Sequence, residues 1–313
     1  MTALPESAPV ALAERWGGRS RISDLDGPVH WVDFGGPTTG SGDDQAPLVL
    51  VHGLGGSHLN WVQVAPALTD LRRVVAIDLA GFGLTPGANR DTGVRANAAL
   101  LGRFIQDQLG GRSVLVGNSM GGMVSLLLAA AEPDLVDGLV LVDPSLPSGV
   151  KNLDRMVALQ FGLYATPVLG EQFLVRLRRR YSTDQRVRGT VQLCFADFSR
   201  ADVEVMEAGV SLLTYRDTLA QSEAEFLRAA RSLLAVLRHG RTYSALIHRV
   251  SAPVLLIHGE QDRLVPIEAA RRVAAAKPEW QAEWLAGVGH TPQLEVPDRF
   301  VAVVNRWLAA LPD

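Results

Sequence analysis

Cys194 is the only cysteine in the chain, so no intrachain disulfide can form. No reactive-site pattern surrounds it, and its expected role is helix packing as a small buried hydrophobe. The sequence has no C-x2-C pair, no H-E-x-x-H and no G-x-x-x-x-G-K-[ST], which removes the usual signatures of zinc and nucleotide-phosphate sites. Gly81-Phe82-Gly83 is a fragment of a dinucleotide fingerprint that lacks the remaining glycine and the downstream acid. No metal and no cofactor is expected. Charge of one sign is also missing: 30 Lys and Arg stand against 33 Asp and Glu, a net charge of -3, which gives no overall electrostatic reason to bind nucleic acid. The longest apolar stretch, around residues 123–131, is far too short to span a bilayer, and residues 1–10 lack the basic and apolar regions of a secretory signal. These absences lead to the expectation of a soluble, cytoplasmic protein.

Apolar residues are plentiful, 47% of 313 positions, enough for one large core; an α/β domain of about 200 to 250 residues carrying an insertion fits that length. Segments 47–51, 73–78, 113–117, 138–143 and 253–258 are nearly continuous Val/Leu/Ile runs, the pattern of parallel strands buried on both faces. Helical stretches at 92–109, 120–132 and 267–277 alternate with them, as in a doubly wound sheet. Ahead of these, 19–23 and 28–34 read as two antiparallel strands, followed by a polar Gly/Thr/Ser/Asp loop over 35–45.

From 146 to 246 the alternation stops. Helical patterning alone remains, over 151–164, 171–180, 183–198, 202–214 and 218–237. A helical block between two strands of one sheet must leave the sheet and return, so it reads as a cap or lid over the strand ends. The expected organisation is therefore a mostly parallel α/β core in two parts, 1–145 and 247–313, with a helical lid at 146–246. Between 147 and 250 there are 15 Lys and Arg against 10 Asp and Glu, and the rest of the chain has 15 against 23. The lid is the basic part. Arg176, Arg178, Arg179 and Arg180 read as the solvated face of an amphipathic helix, with steering of an anionic substrate as the other reading.

The most telling stretch is Val114-Leu115-Val116-Gly117-Asn118-Ser119-Met120-Gly121-Gly122, where a strand pattern runs through G-x-S-x-G into a helix pattern. Such a sharp reversal strains the central serine and exposes its hydroxyl, and side chains two residues to either side would clash, which suits Gly117 and Gly121. Ser119 is the candidate nucleophile. A serine hydroxyl is weak at neutral pH and needs a base, an acid to orient that base, and oxyanion donors.

With this elbow in place the sequence resembles the α/β-hydrolase superfamily, in particular its serine esterase and lipase branch, over essentially all of the chain outside the lid. His52-Gly53-Leu54-Gly55-Gly56 occupies the position of the family's oxyanion segment, which implies the Leu54 amide as one donor and the Met120 amide, next to the nucleophile, as the other. Asp78-Leu79-Ala80-Gly81-Phe82-Gly83-Leu84-Thr85 matches the family's D-x-x-G-x-G-x-S turn, with threonine at its end, and reads as scaffolding. The resemblance further implies Asp262, in His258-Gly259-Glu260-Gln261-Asp262, as the acid and His290, in Gly289-His290-Thr291-Pro292, as the base. Asp143 competes with Asp262, because some members take the acid from that strand end. His52 and His258 sit beside turns and are expected to satisfy groups there, while His30, His58, His239 and His248 have no motif around them.

The implied reaction is hydrolysis of a carboxylic ester through an acyl-enzyme, on a small apolar substrate. Gly117-Asn118-Ser119-Met120-Gly121-Gly122 is also similar to the meta-cleavage-product hydrolases, which cut a carbon-carbon bond. Those enzymes typically place an aromatic residue after the catalytic histidine and carry H-G-x-G-P-G, whereas Thr291-Pro292 and Leu54-Gly55-Gly56-Ser57 stand here. Perhydrolases and thioesterases reuse the same triad, and a receptor that keeps the fold without turnover is the reading from another class. Among the large apolar lid residues, Phe161 and Met206 are the candidates for lining the substrate pocket.

Overall fold

The computed structural model describes residues 4–37, 45–87, 90–147 and 154–311. Most of the expected polar loop, and the first three residues of the helix expected from 151, lie outside the described residues. Eight strands form one sheet: β1 (Arg19–Asp24), β2 (Pro28–Gly35), β3 (Leu48–Val51), β4 (Val74–Ile77), β5 (Ser113–Asn118), β6 (Val136–Val142), β7 (Val254–Gly259) and β8 (Gln281–Leu285). Their order is β1-β2-β4-β3-β5-β6-β7-β8. β1 pairs antiparallel with β2, and β2 antiparallel with β4; every other pairing is parallel.

Twelve α-helices accompany the sheet among the described residues: α1 (Ala65–Leu68), α2 (Val94–Leu109), α3 (Met120–Ala131), α4 (Arg155–Ala165), α5 (Leu169–Arg180), α6 (Thr183–Cys194), α7 (Val203–Thr218), α8 (Ser222–Arg238), α9 (Gly240–His248), α10 (Ile267–Ala276), α11 (Pro292–Glu295) and α12 (Pro297–Leu308). The continuous apolar strand sequences have a direct cause. Side chains alternate across a strand, and each face here has its own core. Val49, Val51, Val75, Ile77, Leu115, Leu139 and Leu256 join Leu101, Phe104 and the apolar residues of α3 on one side. On the other side, Leu48, Leu50, Val74, Val114, Val116, Val140 and Ile257 join Leu68, Phe300, Val304 and Trp307. With no solvent face, these strands have no polar alternation.

This topology locates a crevice. The chain runs from β3 to β4 on one side of β3 and then returns to β5 on the other, so the direction of winding reverses at β3 and β5. Ligands of open α/β sheets bind beyond the carboxyl ends of strands at such a reversal. Residues 52–54 leave β3 and Ser119 leaves β5 at this point.

Helices α4 to α9 lie between β6 and β7. α8 packs on α2, α9 on α3, α7 on the turn at His58–Trp61, and α4 and α5 on α8. The element boundaries differ from the sequence reading in three instructive places. The helix expected to run to 198 stops at Cys194, and the chain from Phe195 is extended or in a short turn, because its backbone amides are taken by a side chain of the core. α9 was not distinguished from the preceding helical pattern; it is set by buried Tyr243 and Ile247, with the Tyr243 hydroxyl donating to the Ser145 carbonyl at 3.1 Å. β8, Gln-Ala-Glu-Trp-Leu, is the edge strand next to β7, with two exposed and two half-buried residues. An edge strand lacks the two-sided burial that marks the others. No helix of the described residues is long and apolar enough to cross a membrane.

Candidate active site

The elbow is formed where β5 meets α3. Ser119 sits at φ 54°, ψ -114°, a region that side chains other than glycine avoid and that persists only where the surroundings enforce it. The enforcement is visible in the backbone. The Ser119 N–H donates to the Val142 carbonyl at 2.9 Å, and its carbonyl accepts from Ser145 at 3.0 Å and Met123 at 3.2 Å. A β-carbon on Gly117 would lie 2.6 Å from the Gly121 carbonyl oxygen, and one on Gly121 would run into the Val51 carbonyl. Both positions therefore exclude any side chain.

The residues after β3 come against this elbow. A β-carbon on Gly53 would be 3.2 Å from the Ser119 β-carbon, and Gly55 takes φ 75°, which turns the segment back. The Leu54 and Met120 backbone amides donate to no protein acceptor among the described residues. Met120 is the first residue of α3, where helix amides are free and the dipole favours negative charge.

His290 is buried and held at three points. Its Nδ1 lies 2.7 Å from Asp262 Oδ2. Its carbonyl accepts from Asn118 Nδ2 at 3.1 Å, which ties it to the residue before Ser119, and its backbone N–H donates to the Cys194 carbonyl at 2.6 Å. The other oxygen of Asp262 accepts from the Leu264 and Val265 amides at 2.7 and 3.0 Å. Burial pushes the Asp262 carboxyl up, but the neighbouring His290, by charge and hydrogen bond, outweighs it with help from His258 and holds it below the usual range.

Asp143, the competing acid, does not touch His290. Its Oδ1 accepts from the Gly259 amide at 2.9 Å and lies 3.6 Å from His258 Nε2. Burial, and then the Asp262 charge beside it, hold this carboxyl well above the usual range. The two acids are thus neighbours shifted in opposite directions, Asp262 down and Asp143 up. His258 Nε2 lies 2.9 Å from the Val265 carbonyl, while its buried Nδ1 has no hydrogen-bond partner among the described residues.

Cys194, expected as a small buried hydrophobe in helix packing, is half-buried at the end of α6, within reach of the charges of Asp262, Asp143 and Glu295. Burial, and then the charges of Asp262, Asp143 and Glu295, push its thiol up to about 12, so it stays protonated and inert.

Three histidines without sequence motifs, or with weak ones, converge on the Asp78 turn. Asp78 is fully buried and takes His30 Nδ1 at 2.8 Å, His58 Nδ1 at 3.0 Å, and the amides of His58 and Leu84 at 2.7 and 2.8 Å. Burial acts to raise its carboxyl, but the charge of His58 and the hydrogen bonds of both histidines hold it well below the usual range. A β-carbon on Gly83 would strike this carboxylate. His52 Nε2 accepts from the Leu79 amide at 3.0 Å, with its Nδ1 on the Gly53 carbonyl at 2.8 Å. The Asp78 group and the Asp143, His258 and Asp262 group are each compact enough to suggest cation ligands. At Asp78, however, both Nδ1 atoms already bond directly to the carboxylate, which describes a hydrogen-bonded brace under the 52–58 segment.

Phe161, Tyr164, Phe173 and Phe226 form an apolar cluster with Leu54 and Leu227. Phe226 also approaches Gly55, 3.3 Å from where a β-carbon would be. Phe161 thus shares a cluster with Leu54. Met206 belongs elsewhere: it is half-buried on α7, whose buried residues Ala208, Leu212 and Tyr215 pack with Leu59, Val62 and Leu84. Arg176, Arg178, Arg179 and Arg180 are exposed on α5, with Arg178 3.7 Å from Glu223.

Residues 46–297 match the family defined by the alpha/beta hydrolase fold, and the chain belongs to that family. It is 29% identical over 287 residues to a 2-hydroxy-6-oxo-2,4-heptadienoate hydrolase of Pseudomonas putida, covering 84% of this chain and 89% of that protein. Among solved structures it is similar to Cfl2 from Burkholderia cenocepacia, with a TM-score of 0.78 at 23% identity over 98% of this chain and 100% of the other. It is also similar to a thermophilic esterase from Thermogutta terrifontis, with a TM-score of 0.67 at 22% identity over 94% and 99%. At these identities the structural likenesses speak for the fold.

Proposed function

We propose that the chain is a serine hydrolase of carboxylic esters with Ser119 as nucleophile, His290 as base and Asp262 as the acid that orients it. The observation that carries this reading is the hold on His290. One ring nitrogen is fixed by a charged Asp262 while the backbone is tied to the elbow through Asn118, which sets the tautomer whose other nitrogen can take a proton. Ser119 attacks the ester carbonyl, its proton passes to His290, and the tetrahedral oxyanion is held by the Leu54 and Met120 amides. Collapse expels the alcohol, protonated by His290. Water, deprotonated by the same imidazole, then releases the acid and frees Ser119.

The aromatic and aliphatic surface beside Leu54 suits an apolar acyl group, and residues 146–246 serve as its cap. Carbon-carbon hydrolysis of a meta-cleavage product is the second reading, favoured by the name of the Pseudomonas putida relative. Thr291 and Leu54-Gly55-Gly56-Ser57 weigh for the ester. A panel of p-nitrophenyl esters of graded acyl length, run beside one meta-cleavage dienoate, tests the choice. Turnover of the dienoate above every ester would reverse it. Failure of a fluorophosphonate to label Ser119 in folded protein would instead favour a binding role without turnover.

A further inference from the structure

Glu295 has no part in the reaction just described, yet its side chain is completely buried and every polar contact around it is used. One oxygen accepts from the Gly289 amide at 2.7 Å and the Ala196 amide at 3.2 Å; the other accepts from the Asp197 amide at 2.9 Å and Arg200 Nη1 at 3.1 Å. These donors belong to two segments. Gly289 precedes His290, whereas Ala196, Asp197 and Arg200 belong to the connection between α6 and α7. Arg200 reinforces the join by donating to the Gly287 carbonyl at 2.8 Å. The two backbones lie in direct contact here, because a β-carbon on Gly289 would run into the Cys194 carbonyl and come 2.7 Å from the Ala196 nitrogen. One residue further on, the His290 amide donates to that same Cys194 carbonyl.

We propose that Glu295 is a positioning residue for His290. By clamping the α6–α7 connection to the loop at 287–290, it holds the Cys194 carbonyl in place as the acceptor of the His290 amide. The segment that covers the site thus also aims the imidazole, an inference that rests on His290 being the base. A carboxylate is suited to the task. Four donors converge on it, and charge-assisted bonds to N–H groups are shorter and stronger than neutral ones. Glutamine of the same size would turn an NH2 toward backbone N–H groups and leave buried donors unmatched, which is costly.

The test is Glu295→Gln in the full chain, read by the rate of fluorophosphonate labelling, by the kcat and KM of an ester, and by the proton NMR resonance of the His290 Nδ1–H. Labelling is expected to slow about 10- to 100-fold, the scale of a misplaced catalytic group, with the loss in kcat and KM held within about twofold. The downfield Nδ1–H resonance of the wild type should broaden or move upfield. A residue that only stabilised the fold would leave the folded variant with wild-type labelling and an unmoved resonance, and that result overturns the proposal. If Glu295→Gln does not fold, Arg200→Met, at a half-exposed guanidinium, keeps the question open to measurement. It should slow labelling about three- to tenfold by loosening the same clamp, and wild-type behaviour in it would overturn the proposal. Wild-type protein that cannot be labelled defeats the serine-hydrolase reading itself; the resonance then decides whether the clamp sets the imidazole.

Discussion

At the scale of single residues, Ser119 and the two acids make the sharpest claims. Ser119→Ala removes the attacking oxygen at a backbone position fixed by its neighbours, so it is expected to cost on the order of 10⁴-fold or more in kcat with little change in stability. Ester turnover by purified variant, beside its thermal melt, checks both halves; a tenth of wild-type activity would exclude Ser119 as nucleophile. Asp262→Asn should also cost several orders of magnitude, because an amide cannot hold the required tautomer of His290. Asp143→Asn should be far milder. Asp143 makes no hydrogen bond to His290, and asparagine can still accept from the Gly259 amide. A large loss in Asp143→Asn with little in Asp262→Asn would exchange the roles.

How much of this site can be read from sequence depends on whether its contacts are local. The elbow is local, and Gly117, Ser119 and Gly121 announce it within five residues. The choice of Asp262 over Asp143 follows from motif position, but their adjacency does not, since 119 residues separate them in the sequence. His30, His58 and Asp78 form one buried hub through contacts 20 and 48 residues apart, and a histidine carries no periodic signal of such a partner. The role of Cys194 was hidden for another reason. What it contributes is a carbonyl, which every residue has.

At the scale of elements, the helices between β6 and β7 divide by what they touch. α8 and α9 are packed into the core beside α2 and α3, while α4 and α5 rest on α8 and place Phe161 and Tyr164 in one cluster with Leu54. Chemistry and selectivity should therefore separate. Phe161→Ala is expected to change relative kcat/KM across an acyl-length series by about 1 to 3 kcal/mol, the worth of one or two methylenes in an apolar pocket. Met206→Ala should do so less, because α7 buries its apolar face against a different cluster. An acyl-length profile that ignores Phe161→Ala would move the pocket elsewhere. The helical character of this region was legible from its patterning, whereas the stop at Cys194 was not, because the cause is the Glu295 carboxylate a hundred residues away. β8 escaped notice because a half-exposed edge strand with Gln281 and Glu283 carries little of the Val/Ile signature that burial imposes on β3 to β7.

At the scale of the whole molecule, buried ionisable groups set how stability responds to pH. Burial is the largest cause holding His30, His52 and His258 below their ordinary value of 6.5. Each is neutral in the fold and takes up a proton on unfolding once the pH is below 6.5, so stability falls with acidification from there, at about 1.4 kcal/mol per pH unit for each histidine fully engaged. Asp78 and Asp262, both lowered, add a loss as the pH drops below 3.8 toward their folded values. Asp143 works the other way: its raised carboxyl costs stability as the pH climbs from 3.8 toward its folded value. Between pH 6.5 and pH 4 three histidines act against one carboxyl. Urea midpoints measured from pH 8 to pH 4 should therefore fall steadily below about pH 6.5, and a flat profile would mean that these histidines are charged in the fold.

The bond from the His290 amide to the Cys194 carbonyl has a consequence for how this protein can vary and be engineered. A carbonyl is indifferent to the side chain that carries it, so substitution at position 194 changes the neighbourhood of His290 without removing the acceptor of its amide. Length is another matter. One residue added to or deleted from the stretch between Cys194 and Arg200 shifts the backbone by about 3.5 Å, more than a hydrogen bond tolerates. At Cys194 and Ala196, which contribute backbone groups, identity is freer to drift than the number of residues in the stretch. An α6–α7 connection transplanted from a relative will serve only if it delivers a backbone oxygen to the same point beside Gly289.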